Sequence, residues 1–155
     1  MSLHKILALW KIFSKNTFTK SIFSYLIRFM NPYTGRLGAT INIFEKGYAE
    51  IVLRDKKKNR NHLNCVHAIA LANLGEFTSG IAVLGSLPSN VRGIVSHISI
   101  EYMKKARGTL RAVSSCDIPP MTEDIQYKVK AEIFNDENEL VSCVHVTWEL
   151  GMYHE

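Results

Sequence analysis

Apolar positions recur at helical spacing over residues 3 to 13, where Leu3, Ile6, Leu7, Trp10 and Phe13 share a face away from Lys5 and Lys11. Residues 18 to 30 repeat the habit with Phe18, Ile22, Phe23, Leu26, Ile27 and Met30, and Asn31-Pro32 stops the helix. These helices pack their apolar face on the body of the fold or lie on a membrane surface with lysine edges. From Leu37 the period changes to two. Leu37, Ala39, Ile41 and Ile43 alternate, Lys46-Gly47 turns the chain, and Ala49, Ile51 and Leu53 alternate again, which predicts a hairpin.

The longest helical pattern runs from Val66 to about Leu84. Small or apolar residues (Ala68, Leu71, Ala72, Gly75, Ser79, Ala82) recur at three-and-four spacing, so another backbone can approach closely. A helix that is apolar nearly all round belongs at the centre. Strands are predicted after it over Gly93 to Met103, Gly108 to Cys116, Ile125 to Phe134 and Leu140 to Leu150, the last two joined by the turn Asn135-Asp136-Glu137-Asn138. Ile94, Ile98, Ile100 and Tyr102 are expected on one face of the first of these. Tyr127, Val129, Ala131 and Ile133 should oppose Lys128, Lys130 and Glu132. The order predicts an α+β fold: about six antiparallel strands bent around one long helix, preceded by extra N-terminal helices. Residues 1–31 form the helical segment and 32–155 the body.

Composition adds bounds rather than detail. The 155 residues suit a single core, and the 46% hydrophobic and 21% charged content is that of an ordinary globular chain. The net charge of +5 suits an anionic partner. Cys65, Cys116 and Cys143 form an odd set without a CxxC pair, which argues for free thiols in a reducing compartment. Lysines interrupt the apolar N-terminus and no run is long enough to span a bilayer, so neither a signal peptide nor a spanning helix is expected, and the cytoplasm is the expected location. Nucleic acid is not an expected partner, because the basic residues are not interleaved with exposed aromatics on a recognisable module. The run Asp55 to Arg60 cannot be core; it is a solvated loop or a docking site for phosphates.

Candidate chemistry gathers between Asn61 and Glu76. A polar, turn-prone stretch leads into His67, the central helix begins directly after it, and one carboxylate, Glu76, follows nine residues on. A helix start offers unpaired N–H groups and positive potential to a carbonyl oxygen. Glu76 is able to act as a general base or nucleophile, but it lies about 13 Å along the axis from that start at 1.5 Å per residue. His62 and His67 lack a third nearby ligand, so no metal is expected. Cys65, two residues before His67, invites a Cys–His pair, although neighbours in a turn need not face each other.

This stretch and the order of elements resemble the hotdog fold, specifically its PaaI-like acyl-CoA thioesterase branch and the related DUF4442 family. That branch carries an Asn, three residues later a Gly, then His-Gly-Gly, then an Asp or Glu nine residues after the His. Asn61, His67 and Glu76 fall at those positions with the spacing intact. Ile98 to Gly108 is similar to the family's strand that ends in an aromatic, a basic residue, Pro-Ala and a Gly turn. The match covers roughly residues 35 to 150. Asn64 stands where the family has Gly, Ala68-Ile69 where it has Gly-Gly, and Lys105 where it has Pro. Backbone N–H groups survive such replacements, but the β-branched Ile69 narrows the approach to them.

The resemblance implies a homodimer or a dimer of dimers that hydrolyses an acyl-CoA or acyl-carrier thioester. Glu76 would be the partner subunit's base or nucleophile, Asn61 would orient water or the acyl group, and His67 would hold the helix entrance or hydrogen-bond substrate. The N–H groups of Ala68 and Ile69 would polarise the thioester carbonyl and stabilise the oxyanion, Asn64 would lie against substrate, and Lys104, Lys105 and Arg107 would meet the phosphates of coenzyme A. Coenzyme A enters as part of the substrate, and no cofactor is expected. Two alternatives stand beside it: a non-catalytic hotdog protein that binds an acyl or other hydrophobic ligand, and a peripheral interaction protein with weak membrane contact through residues 1–30.

Overall fold

The computed structural model describes residues 3–152, with side chains from Ile6 onward. The side chains of Leu3 and Lys5, and residues 153–155, lie outside the described residues. Helices α1 (Leu3–Phe13), α2 (Thr17–Met30) and the single-turn α3 (Pro32–Gly35) precede strands β1 (Thr40–Glu45) and β2 (Tyr48–Leu53). The central helix α4 (Ala68–Leu84) follows, then β3 (Val91–Tyr102), β4 (Leu110–Ser115), β5 (Ile125–Phe134) and β6 (Leu140–Met152). The strands pair antiparallel throughout in the order β1-β2-β4-β5-β6-β3. The curved sheet carries α4 against the face formed by Ala112, Ala131, Val144 and Val146, all buried. This is the hotdog arrangement.

The small residues of α4 set how closely it approaches the sheet. A Cβ placed on Gly75 would lie 2.3 Å from Val144 Cγ2 and 2.5 Å from its Cβ. The helix backbone therefore rests directly on β6, and Leu71, Leu74, Thr78, Ala82 and Val83 complete a dry contact around it.

Two bulges change the faces that simple alternation predicts. In β1 the register shifts between Ile41 and Ile43, so Ile43 stands opposite Glu50 while Phe44 faces Ala49 and enters the core. In β3 it shifts between Val95 and His97. Ile98, Ile100 and Tyr102 stand opposite Val146, Val144 and Ser142 on the helix side, but Ile94 stands opposite Glu149. Ile94 therefore does not share their face. One extra residue is enough to invert everything on one side of a bulge.

The N-terminal helices also depart from the expected packing. Asn16 caps α2 by accepting the Thr19 N–H through Oδ1 at 2.9 Å, and Pro32 opens α3 at its first position, where a missing N–H costs nothing. Trp10, Phe23 and Phe44 form an aromatic cluster with centroids 5.1 and 6.4 Å apart. Only Phe23, Ser24 and Ile27 of α2 are buried; Phe18, Ile22, Leu26 and Met30, expected on the packed face, are exposed. Ser24 Oγ accepts the Ile41 N–H at 2.9 Å, which ties α2 to the β1 edge of the sheet. The opposite edge, β3, presents twelve residues without such a cover among the described residues.

Candidate active site

The loop before α4 is built by side-chain hydrogen bonds. Asn61 Oδ1 accepts from the N–H groups of Leu63 (2.9 Å) and Cys65 (3.4 Å) and from Cys65 Sγ (3.3 Å). That is the work of a turn residue, and it leaves the Asn61 amide nitrogen as its remaining donor. Cys65 Sγ points to Asn61 and not to His67, which removes the Cys–His pair. Asn64 adopts the left-handed conformation at φ 60, a position the family fills with Gly and one that Asn tolerates. Asn59, expected in a solvated run, is buried. It donates to Leu37 O at 3.0 Å and its own carbonyl accepts the His67 N–H at 2.8 Å, so it fixes the chain where α4 begins.

His67 is the cap of α4. Its Nδ1 accepts the Ile69 N–H at 3.1 Å, which places the proton of the neutral ring on Nε2. The Ile69 N–H is thus already occupied, while the Ala68 N–H has no acceptor among the described residues. The Ile69 side chain stands over the entrance at 59% exposure. Tyr102, at the end of β3, donates its hydroxyl to Ala68 O at 3.2 Å and so joins the sheet edge to the first turn of the helix.

Along α4, Ile69, Asn73 and Glu76 fall at i, i+4 and i+7 and make one stripe. Glu76 is half-buried, and burial alone pushes its carboxyl above the ordinary carboxylate range; no cation or donor among the described residues compensates it. Asn73, which the sequence reading passed over, has a fully buried Oδ1 without a hydrogen-bond donor among the described residues. A lone amide in an otherwise small and apolar helix was the available signal.

Two clefts meet beside the helix entrance. The first, about 350 Å³, is lined by His67, Ile69, Ala70 and Asn73 from α4 and by Tyr33, Arg36 and Lys58 from the elements before it, with Arg60 at its margin. The second, about 620 Å³, gathers Arg54, Arg60, Arg107 and Asn64 around Asp55 and Asp136. Arg60 belongs to both. It holds Asp55 through two hydrogen bonds of 2.7 and 3.1 Å, and this keeps the Asp55 carboxyl below its ordinary range. Of the other expected phosphate contacts, Lys104 is paired with Glu139 and Lys105 is exposed. The structure brings His67, Ile69, Asn64 and Arg107 to adjoining clefts, whereas Glu76, Asn61, Ala68, Lys104 and Lys105 line neither. Among the described residues no three of His, Cys, Asp and Glu converge as a metal site would require.

Residues 19–150 match the family described as a domain of unknown function, DUF4442. No curated protein matches the chain. Among solved structures, the structural-genomics protein APC5556 is 25% identical with a TM-score of 0.82, covering 96% of this chain and 99% of its own. The Pseudomonas aeruginosa protein PA5026, described as a probable thioesterase, is 20% identical with a TM-score of 0.77 over 84% of this chain and 93% of its own. The Haemophilus influenzae thioesterase HI1161 is 16% identical with a TM-score of 0.68 over 79% and 85%. The fold of this chain is thus one that thioesterases use.

Proposed function

We propose that this chain, which belongs to the DUF4442 family, hydrolyses an acyl thioester of coenzyme A or of an acyl carrier at a site completed by a second copy. The observation that carries this reading is Glu76. A half-buried carboxylate without a partner among the described residues is costly to keep, and a raised pKa makes it a better proton acceptor than an ordinary glutamate. It lies too far along α4, about 13 Å, to serve the entrance of its own helix. Pairing of two chains along the uncovered β3 edge would supply the carboxylate from the opposite subunit. The twelve-residue edge, with Ile98 and Tyr102 exposed on its helix side, is suited to a second copy.

In this scheme water attacks the carbonyl carbon while Glu76 accepts its proton. The oxyanion develops towards the Ala68 N–H and the positive end of α4, then collapses as the carbon–sulfur bond breaks and the thiolate takes up the proton. His67 fixes the entrance through its bond to Ile69. Arg54 and Arg107, beside the Arg60–Asp55 pair, offer the cationic surface that the phosphates of coenzyme A need. The occupied Ile69 N–H and the exposed Ile69 side chain favour a second reading, in which the site binds an acyl ligand without cleaving it.

Thiol release from acyl-CoA esters of graded chain length, measured for wild type and Glu76→Gln, separates the two. Turnover by wild type that Glu76→Gln loses supports hydrolysis. Binding of the same esters by calorimetry without turnover supports the second reading.

A further inference from the structure

We infer that the outer face of α2 and α3 docks this protein on an anionic lipid bilayer. Phe18, Ile22, Tyr25 and Phe29 lie at i, i+4, i+7 and i+11, so their side chains form one line along α2. All four are exposed, Phe18 at 75% and Phe29 at 77%. Leu26 and Met30 widen the line on one side, and Tyr33 of α3 extends it at 73% exposure. The buried side of the same helix, Phe23 with Ile27, already anchors it to the sheet. The outer apolar row therefore contributes nothing to the described core.

Charge identifies the occupant. Six of the 19 Lys and Arg residues fall in the first 44 positions, and none of the 14 Asp and Glu residues does. The excess positive charge of the chain is thus concentrated on the segment that carries the apolar row. Lys11 and Lys15 are exposed on and after α1, and Arg28 and Arg36 flank the row, with Arg28 over the Tyr25 ring at 5.8 Å. A row of aromatic and aliphatic side chains edged by cations is what a helix lying in the plane of an anionic membrane presents. No described helix is long and apolar enough to cross a membrane, so contact is with the surface. A second copy is a poorer occupant, because two such faces would oppose like charges without a carboxylate between them. Nucleic acid is poorer too, because the aliphatic Ile22, Leu26 and Met30 interrupt the exposed aromatics, so successive bases would not stack along the row.

Flotation of the full chain tests the inference, with vesicles of phosphatidylcholine alone and of an equal mixture with phosphatidylglycerol. About tenfold more protein is expected to float with the mixed vesicles, and less as salt is raised. Phe18→Ser/Phe29→Ser should lower that binding about tenfold, and Lys11→Glu/Lys15→Glu should remove the preference for the anionic lipid. The second variant changes only exposed polar positions, so it remains informative if the first fails to fold. Equal flotation with both vesicles, or unchanged flotation of either variant, overturns the inference. So does a fall in oligomeric state of Phe18→Ser/Phe29→Ser by light scattering when wild type does not float, since a second copy then covers the face. Flotation is read without substrate, so its outcome is independent of thioester hydrolysis.

Discussion

The ring of His67 accepts the Ile69 N–H at 3.1 Å, so the central helix carries its own cap at the point where a substrate carbonyl would be received. The next open donor towards the entrance is the Ala68 N–H. His67 has φ −64 and ψ 141, an extended conformation compatible with a proline after it. Ala68→Pro therefore deletes that N–H at a helix position where proline is favoured. The expected outcome is near wild-type thermal stability with kcat lowered by about 10²–10³. Full activity of a folded Ala68→Pro would remove Ala68 from the proposed role.

Mixing tests whether two chains build one site. Glu76→Gln and Ala68→Pro are each expected to be nearly inactive, with Glu76→Gln reduced by about 10²–10⁴. A mixed dimer contains one site with an intact carboxylate and an intact entrance, so activity should reappear after the two are unfolded and refolded together. No recovery in verified heterodimers would place both groups in one chain or outside catalysis.

Glu76 also sets a pH signature. Its folded-state pKa is raised by burial, so between the ordinary glutamate value and the higher folded value the folded chain holds a proton that the unfolded chain has released. Stability therefore falls as pH rises through that window, and the carboxylate is a burden at neutral pH. Glu76→Gln should melt a few degrees higher than wild type at neutral pH, with the difference shrinking in acid. Asp55 and Glu139, whose pKa values are lowered, act in the opposite direction in both proteins and cancel in the comparison. Hydrolysis should rise with pH across the same window as Glu76 ionises. Parallel melting curves at all pH values would show that Glu76 is solvated.

The cap itself is measurable. Replacing His67 by Ala should cost about 1 kcal/mol in urea unfolding, and His67→Asn, which can accept the same N–H, should recover most of it. Equal losses in both would mean that the imidazole acts through packing.

Gly75 offers a packing test remote from the cap. Its absent Cβ is the space that Val144 occupies, so Gly75→Ala should destabilise by about 1–3 kcal/mol through overpacking, despite the better helix propensity of alanine. A stabilised Gly75→Ala would show that β6 yields freely.

Much of the architecture was legible because α4 and β5 keep their periods without interruption: Tyr127, Val129, Ala131 and Ile133 face the helix as alternation requires. The faces of Ile43 and Ile94 were not legible, since a bulge adds one residue without leaving a mark in the hydrophobic pattern. Nor was the outer face of α2, where spacing shows that side chains align but not which aligned row meets the core. At the candidate site, His67 and Glu76 stood out by their place on the central helix, and Asn61 by the family resemblance. The buried Asn59, the orphan Oδ1 of Asn73 and the Tyr102–Ala68 bond depend on contacts between elements distant in sequence.

Tyr33 belongs both to the exposed row of α2–α3 and to the wall of the His67 cleft. With that row docked and thioester hydrolysis as proposed, the cleft would have one wall in the lipid surface, and substrate would reach it by a two-dimensional search. The concentration that matters is then the mole fraction of acyl thioester in the leaflet rather than its amount in the volume. Adding inert lipid at constant substrate would slow such an enzyme by surface dilution, although every molecule of enzyme and substrate remained present.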